Sequence, residues 1–156
     1  MAFLSIIMGL DEKDRVIIQA LLENSKQTTG RLSKKLGIPI TTIHNHIKKL
    51  EKEKVILNYT LNLDYAKLGK PIFAHIGVTV DYLAGGSGKK INQTDVAKDI
   101  RKIDGVQEVT IMTGGTDILV KVIASDIFEL NRVVTEKMRN ITGVDKTQTS
   151  IVLQKV

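Results

Sequence analysis

Residues 28–56, TTGRLSKKLGIPITTIHNHIKKLEKEKVI, set two short helical patterns on either side of a glycine, and nothing else constrains the chain as much. Leu32 and Leu36 lie four apart, and Gly37 follows where a helix end favours a left-handed residue. Beyond the turn, Ile40, Ile43, Ile47 and Leu50 recur at helical spacing. At roughly 100° per residue they form one stripe. Thr41, Asn45, Lys48 and Lys52 fall on the opposite side, with Lys49 beside them. A lysine-rich face alone is usually just a solvated helix surface. Behind a helix–glycine turn–helix frame it reads as a recognition helix, whose short polar residues reach base edges while its lysines neutralise phosphates.

The charge distribution agrees. The chain carries a net +6, and residues 26–54 hold eight Lys/Arg against two acids, so this one segment accounts for the whole excess. Positive charge gathered in this way is the footprint of a polyanion binder. Arg31 and Lys34 of the first helix, and Thr41, Thr42, His44, Asn45, Lys48, Lys49 and Lys52 of the second, are therefore the expected contacts to double-stranded DNA. An interfacial membrane helix would want Trp or Phe in its apolar stripe, and this stripe has neither.

The rest of the chain sets the architecture. Residues 1–9, MAFLSIIMG, read as an N-terminal arm, too short and lacking the charged start of a signal peptide. Asp11 is a good N-cap with Asp14 in the first turn, opening a helix that buries Ile17, Ala20 and Leu21. Residues 10–57 thus form a three-helix DNA-binding domain. Residues 58–70 are expected to be a linker strand or wing, with Tyr59, Leu61 and Leu63 on one side and Gly69 and Pro71 at its end.

From residue 71 the period changes from helical to alternating. Ile72, Ala74, Ile76, Val78 and Val80 share one side of a strand. A glycine-bearing loop over 81–93 (Gly85, Gly86, Gly88) leads to a helix with Val96, Ile100 and Ile103 inward, closed by Asp104-Gly105. Two strands joined at Gly114-Gly115-Thr116 follow. Ser125 or Asp126 opens the last helix, with Ile127, Leu130, Val134, Met138 and Ile141 inward and Gly143 at its end. The strand QTSIVLQKV closes the chain. The fold class is α+β: an N-terminal helix-turn-helix, winged-helix-like domain, then a ferredoxin-like βαββαβ domain over 71–156 with a four-stranded antiparallel sheet. Both helices cover one side of that sheet. The other side, carrying Phe73, His75 and Thr79, is free to pair with a second copy in a two-fold dimer.

In order and spacing these residues resemble the Lrp/AsnC (leucine-responsive, or feast/famine) family of transcription regulators. The resemblance rests on Leu10-Asp11-x-x-Asp14, on Thr42-Ile43-x-x-His46-Ile47-x-x-Leu50-Glu51-x-x-Lys54-Val55-Ile56, and on Tyr59-Thr60. It continues through Thr113-Gly114-Gly115-Thr116-Asp117 and Gly143-Val144 to Thr149-Ser150-Ile151-Val152-Leu153. It implies a cytoplasmic regulator whose C-terminal domain binds a small effector, typically an amino acid, at an interface between subunits of a homodimer or of a larger assembly such as an octamer. The expected effector contacts are Gly114, Gly115, Thr116, Asp117, Thr149 and Ser150, with Asp117 receiving the α-ammonium. Three positions depart from the family. Pro39 stands where it usually has a Ser or Thr cap, His46 where it has Arg, and Lys54 where it has Gly.

Other classes fare worse. The chain has no cysteine, hence no thiol nucleophile or thiolate metal site. His44 and His46 are two apart on a helix and point about 160° away from each other, so no metal site is expected, and neither catalytic residues nor cofactors. A sirohaem-decarboxylase-like enzyme of the same architecture would need histidine and arginine around a tetrapyrrole, and the C-terminal domain offers only His75 with Arg101, Arg132 and Arg139 on helices. An effector-independent architectural DNA-binding protein is the other alternative. RNA binding by the sheet would need stacking aromatics on its central strands, which are absent.

Overall fold

The computed structural model describes residues 9–84 and 90–154, and within it the chain divides into two compact units, Met1–Asn62 and Leu63–Val156. Residues 1–8 of the expected arm, and Gly85, Gly86 and Gly88 of the expected loop, lie outside the described residues.

In the first unit, α1 (Glu12–Glu23), α2 (Thr29–Leu36) and α3 (Ile40–Lys52) pack around Ile17, Leu32 and Ile43, all fully buried. Asp11 and Asp14 form a reciprocal capping box at the start of α1, and Thr28 caps α2 through the Arg31 N–H. Gly37 ends α2 at φ 67°, the left-handed conformation the sequence requires of it. Pro39 opens α3 with no side-chain cap, so the N–H groups of its first turn lack the partner that α1 and α2 have. Ile40, expected in the buried stripe, is half exposed at this terminus.

The C-terminal end of α3 explains one family departure. The Val55 N–H donates to Leu50 O (2.9 Å) and the Lys54 N–H to Glu51 O (3.1 Å), which is a Schellman motif. Its geometry puts Lys54 at φ 56°, the only described non-glycine residue with positive φ. This is where relatives of the family carry Gly, and the lysine bears the strain of a left-handed backbone.

Residues 57–64, expected as a strand, are extended but pair with no strand among the described residues. Alternation reports which face is apolar, and it cannot supply a neighbour for the ladder. Leu57, Tyr59, Leu61 and Leu63 are all exposed along this segment.

The second unit is a four-stranded antiparallel sheet in the order β2-β3-β1-β4. Its strands are β1 (Ile72–Val80), β2 (Val106–Ile111), β3 (Ile118–Ala124) and β4 (Val144–Ile151). α4 (Gln93–Arg101) and α5 (Ile127–Arg132) bury Val96, Ile100, Leu130 and Met138 against Ala74, Ile76, Val78, Val120 and Val122. β4 begins four residues before the expected QTSIVLQKV. Its Asp145–Gln148 run is polar because β4 is an edge strand, and burial patterning does not mark it.

The last helix also departs from expectation. Asp126 caps it, but Ile127 is half exposed, and Val133–Met138 continues as a π-helical turn in which the Arg139 N–H reaches back five residues to Val134 O (3.1 Å). The extra residue per turn brings Val133 into the core beside Val134, a phase that a 3.6-residue period misses. Glu129 on α5 pairs with Lys70 and accepts the Ser125 N–H, which together hold its carboxyl down at about 2.

Lys54→Gly relieves the left-handed lysine. It should stabilise the first unit by about 1 kcal/mol, read as a rise in the urea midpoint at unchanged slope. An unchanged or lower midpoint would show that the Schellman turn carries no strain.

Candidate DNA-binding helix and effector unit

α3 is fixed by apolar packing on one side and by an ion-pair cluster on its flank. Ile43 and Leu50 are fully buried, with Ile47 packed partly against the same core. Beside them lies Asp14, the one buried charged residue among those described. Its Oδ1 is 2.7 Å from His46 Nδ1, and its Oδ2 accepts from Lys49 Nζ at 2.7 Å. Burial alone would raise this carboxyl, but the hydrogen bonds from Lys49 and His46 outweigh it and hold it below its ordinary value. The same pairing with Asp14 raises Lys49. A buried carboxylate stripped of such partners costs about 3–5 kcal/mol, so the cluster locks α3 to α1.

This corrects one expected DNA contact. Lys49 is committed to Asp14, 35 positions away in sequence, and its ammonium serves the fold. His46 is likewise an internal partner of Asp14, its side chain only 17% exposed. The expected contacts Thr41, His44, Asn45, Lys48 and Lys52 are all exposed on α3, Thr42 is half-buried, and Arg31 and Lys34 are exposed on α2. Asp11, Asp14 and His46 bring three ligand atoms within 4.8 Å of one another, where no metal site was expected. Lys49 already neutralises Asp14, and Asp11 Oδ1 accepts the Asp14 N–H (2.8 Å), so the cluster is satisfied as an ion-pair network.

In the second unit the six expected effector residues do not converge on one place. Gly114 and Gly115 are exposed at the β2–β3 hairpin. Thr116 leans over the open sheet face, so close to Gly77 that a Cβ there would meet its hydroxyl at 3.2 Å. Asp117 is occupied within the chain. Its Oδ2 accepts the Val80 N–H (2.8 Å) and its Oδ1 the Tyr82 hydroxyl (2.9 Å), while its backbone carbonyl accepts from Gln93 Nε2 (2.6 Å). The carboxylate expected to receive an α-ammonium therefore organises the hairpin. The hydrogen bond to Asp117 also raises the Tyr82 phenol.

Thr149 and Ser150 point to opposite faces of β4. Thr149 pairs with Ile76, on the helix-covered side, and Ser150 with His75, on the open side. Thr149 instead joins a cleft of about 270 Å³ with Asn131 and Arg139, over Leu130 and Val134. Sequence reasoning placed Arg139 merely on a helix. The π-turn that sets its direction leaves no mark in the apolar period.

The open face carries Phe73 and His75 edge to face, with ring centroids 5.4 Å apart, and Lys121 Nζ lies 5.6 Å from the Phe73 centroid. Lys121 also pairs with Glu108 (3.4 Å). Among the described residues, no helix is long and apolar enough to cross a membrane.

Comparison with known proteins agrees with both units. Residues 10–56 match a winged helix-turn-helix DNA-binding domain, and residues 82–156 match the Lrp/AsnC ligand binding domain. An uncharacterised HTH-type transcriptional regulator of Pyrococcus furiosus is 39% identical over 142 residues, 91% of either chain. The structure of E. coli AsnC superposes with a TM-score of 0.79 at 26% identity, covering 94% of this chain and 93% of that one. A Neisseria meningitidis transcriptional regulator, solved in complex with L-Met, reaches a TM-score of 0.85 at 26% identity, covering 94% and 92%. These matches favour a DNA-binding, ligand-responsive regulator over a tetrapyrrole enzyme. The chain belongs to the Lrp/AsnC family of transcription regulators.

Proposed function

We propose that the protein reads a specific duplex DNA site through the outward face of α3, works as a homodimer, and answers to an amino acid held by its C-terminal unit. The observation that carries the DNA reading is the division of labour on α3. Ile43, Leu50, His46 and Lys49 are committed to the fold, and Thr41, His44, Asn45, Lys48 and Lys52 face solvent. Asn45 is the residue suited to adenine, because its amide can give and take a hydrogen bond at once. Lys48 and Lys52, with Arg31 and Lys34 from α2, supply phosphate contacts. The uncapped N–H groups at the start of α3 add a further place for a phosphate.

Two features support the dimer. The sheet covers only one of its faces with helices, and the segment 57–64 presents apolar side chains and unpaired backbone to its surroundings. A two-fold pair would present two copies of α3 to a pseudo-palindromic site. The amino-acid reading draws on the L-Met complex of the Neisseria meningitidis relative. In this chain the exposed Gly114 and Gly115 let backbone N–H groups approach a carboxylate, with Asp117 shaping the hairpin. The effector acts only through its different affinities for the states it links, a coupling of about 1–3 kcal/mol.

Asn45→Ala should flatten discrimination between the preferred site and a single-base variant by about 1–3 kcal/mol, measured by competition binding. Undiminished discrimination would remove Asn45 from the readout. Light scattering of the full chain at micromolar concentration should return at least twice the 17.3 kDa chain mass. A monomer mass would contradict the dimer.

A further inference from the structure

The cleft beside the π-turn has the makings of a ligand site that the hairpin lacks. Its floor is apolar, made by Leu130 and Val134, and Ile127 forms a half-exposed apolar wall. Three polar side chains stand around it. The Asn131 amide and the Thr149 hydroxyl make no hydrogen bond within the described residues, and neither do the two terminal nitrogens of Arg139. Arg139 is nevertheless oriented, because its Nε donates to Thr147 Oγ1 at 3.1 Å. Thr147 lies two residues from Thr149 on the same face of β4, about 7 Å along the strand. The guanidinium is thus held by one edge, and its remaining N–H groups form a fork that fits a carboxylate in bidentate fashion.

The π-turn is what builds this cleft. It turns both Val133 and Val134 toward the sheet, and Thr135 Oγ1 bonds back to Asn131 O (2.8 Å), fixing the backbone from which the Asn131 side chain projects. π-turns of this kind recur at functional sites. A volume of about 270 Å³ lies just under the usual range for drug-sized ligands and suits a free amino acid.

We propose that this cleft is an amino-acid site in its own right, separate from the Gly114–Thr116 hairpin. Arg139 takes the α-carboxylate, and Asn131 Oδ1 and Thr149 Oγ1 accept from the α-ammonium. Ile127, Leu130 and Val134 receive an aliphatic or thioether side chain. The proposal rests on the reading of the C-terminal unit as an amino-acid sensor, and it names where in that unit, and which chemical class, is recognised. An apolar floor with no charged group on it disfavours acidic and basic side chains.

The test is equilibrium dialysis of radiolabelled L-leucine, L-isoleucine and L-methionine against the full chain, counting moles bound per chain. Arg139→Gln and Thr149→Val change exposed side chains, so neither should disturb the fold. Each should remove one bound equivalent or weaken it about tenfold or more. Gly115→Val, at an open hairpin position, should leave that equivalent in place. L-Methioninamide, lacking the carboxylate, should fail to compete for it. Binding abolished by Gly115→Val, yet unchanged in Arg139→Gln and Thr149→Val, would overturn the cleft while keeping an amino-acid sensor at the hairpin. No binding of any of the three by the wild-type chain would overturn both.

Discussion

The buried carboxylate of Asp14 is the interaction on which the DNA-binding unit turns. A three-helix unit of this size has a small core, here Ile17, Leu32 and Ile43 with their neighbours. Such a core fixes which face of α3 points inward better than it fixes rotation of the helix about its axis. Asp14 supplies that second constraint. It accepts from His46 and Lys49, three residues apart on α3, so the helix is gripped at two successive points along one flank. Asp14 is itself held by the capping box at the start of α1, through the Asp11 N–H (3.2 Å) and its own N–H to Asp11 (2.8 Å). For stability alone, a buried charge offers little over a well-packed apolar residue. Its value here is orientation. With His46 and Lys49 turned inward, Thr41, Asn45, Lys48 and Lys52 necessarily face out.

The C-terminal unit follows a different logic. Its sheet is organised by β1, which pairs with β3 on one side and β4 on the other, so both edges belong to strands met later in the chain. The covered face is apolar and continuous from Ala74 to Met138. The open face mixes Phe73, His75 and Lys121 with polar residues of β4, a composition closer to a subunit interface than to a solvated surface. The hairpin and the π-turn both interrupt regular structure, but with opposite results. At the hairpin, Asp117 uses its own hydrogen-bonding capacity in closing the turn. At the π-turn, polar groups are left without partners around an apolar floor.

Much of this was legible in the sequence where burial imposes a period. The alternation of β1 reads directly because one face is buried and the other is not, and Gly37 reads because only a left-handed residue closes α2. The basic, polar face of α3 was visible from its angles. What escaped has a common cause, since each case depends on a partner distant in the chain. Lys49 sits at the border between the two faces, and only the position of Asp14 decides which it serves. The edge strand β4 is polar from Asp145 to Gln148, so its pairing with β1 leaves no pattern. Residues 57–64 have the pattern of a strand without a partner among the described residues. The π-turn hides for the opposite reason: Leu130, Val134, Met138 and Ile141 look regular, and the inserted residue is Val133, itself apolar.

The measurement that bears most directly on this account is the salt dependence of binding to a duplex selected by the protein, for wild type, Lys48→Ala, Lys52→Ala and Lys49→Ala. Removing one ammonium that pairs with a phosphate should lower the slope of log Kobs against log salt by about 1. The account predicts that decrease for Lys48 and Lys52, with melting temperatures unchanged. It predicts the reverse for Lys49: an unchanged slope and a lower melting temperature, because Asp14 loses its partner. A Lys49→Ala protein with a reduced slope and wild-type stability would contradict it, placing that ammonium on DNA and leaving α3 held by its apolar stripe alone.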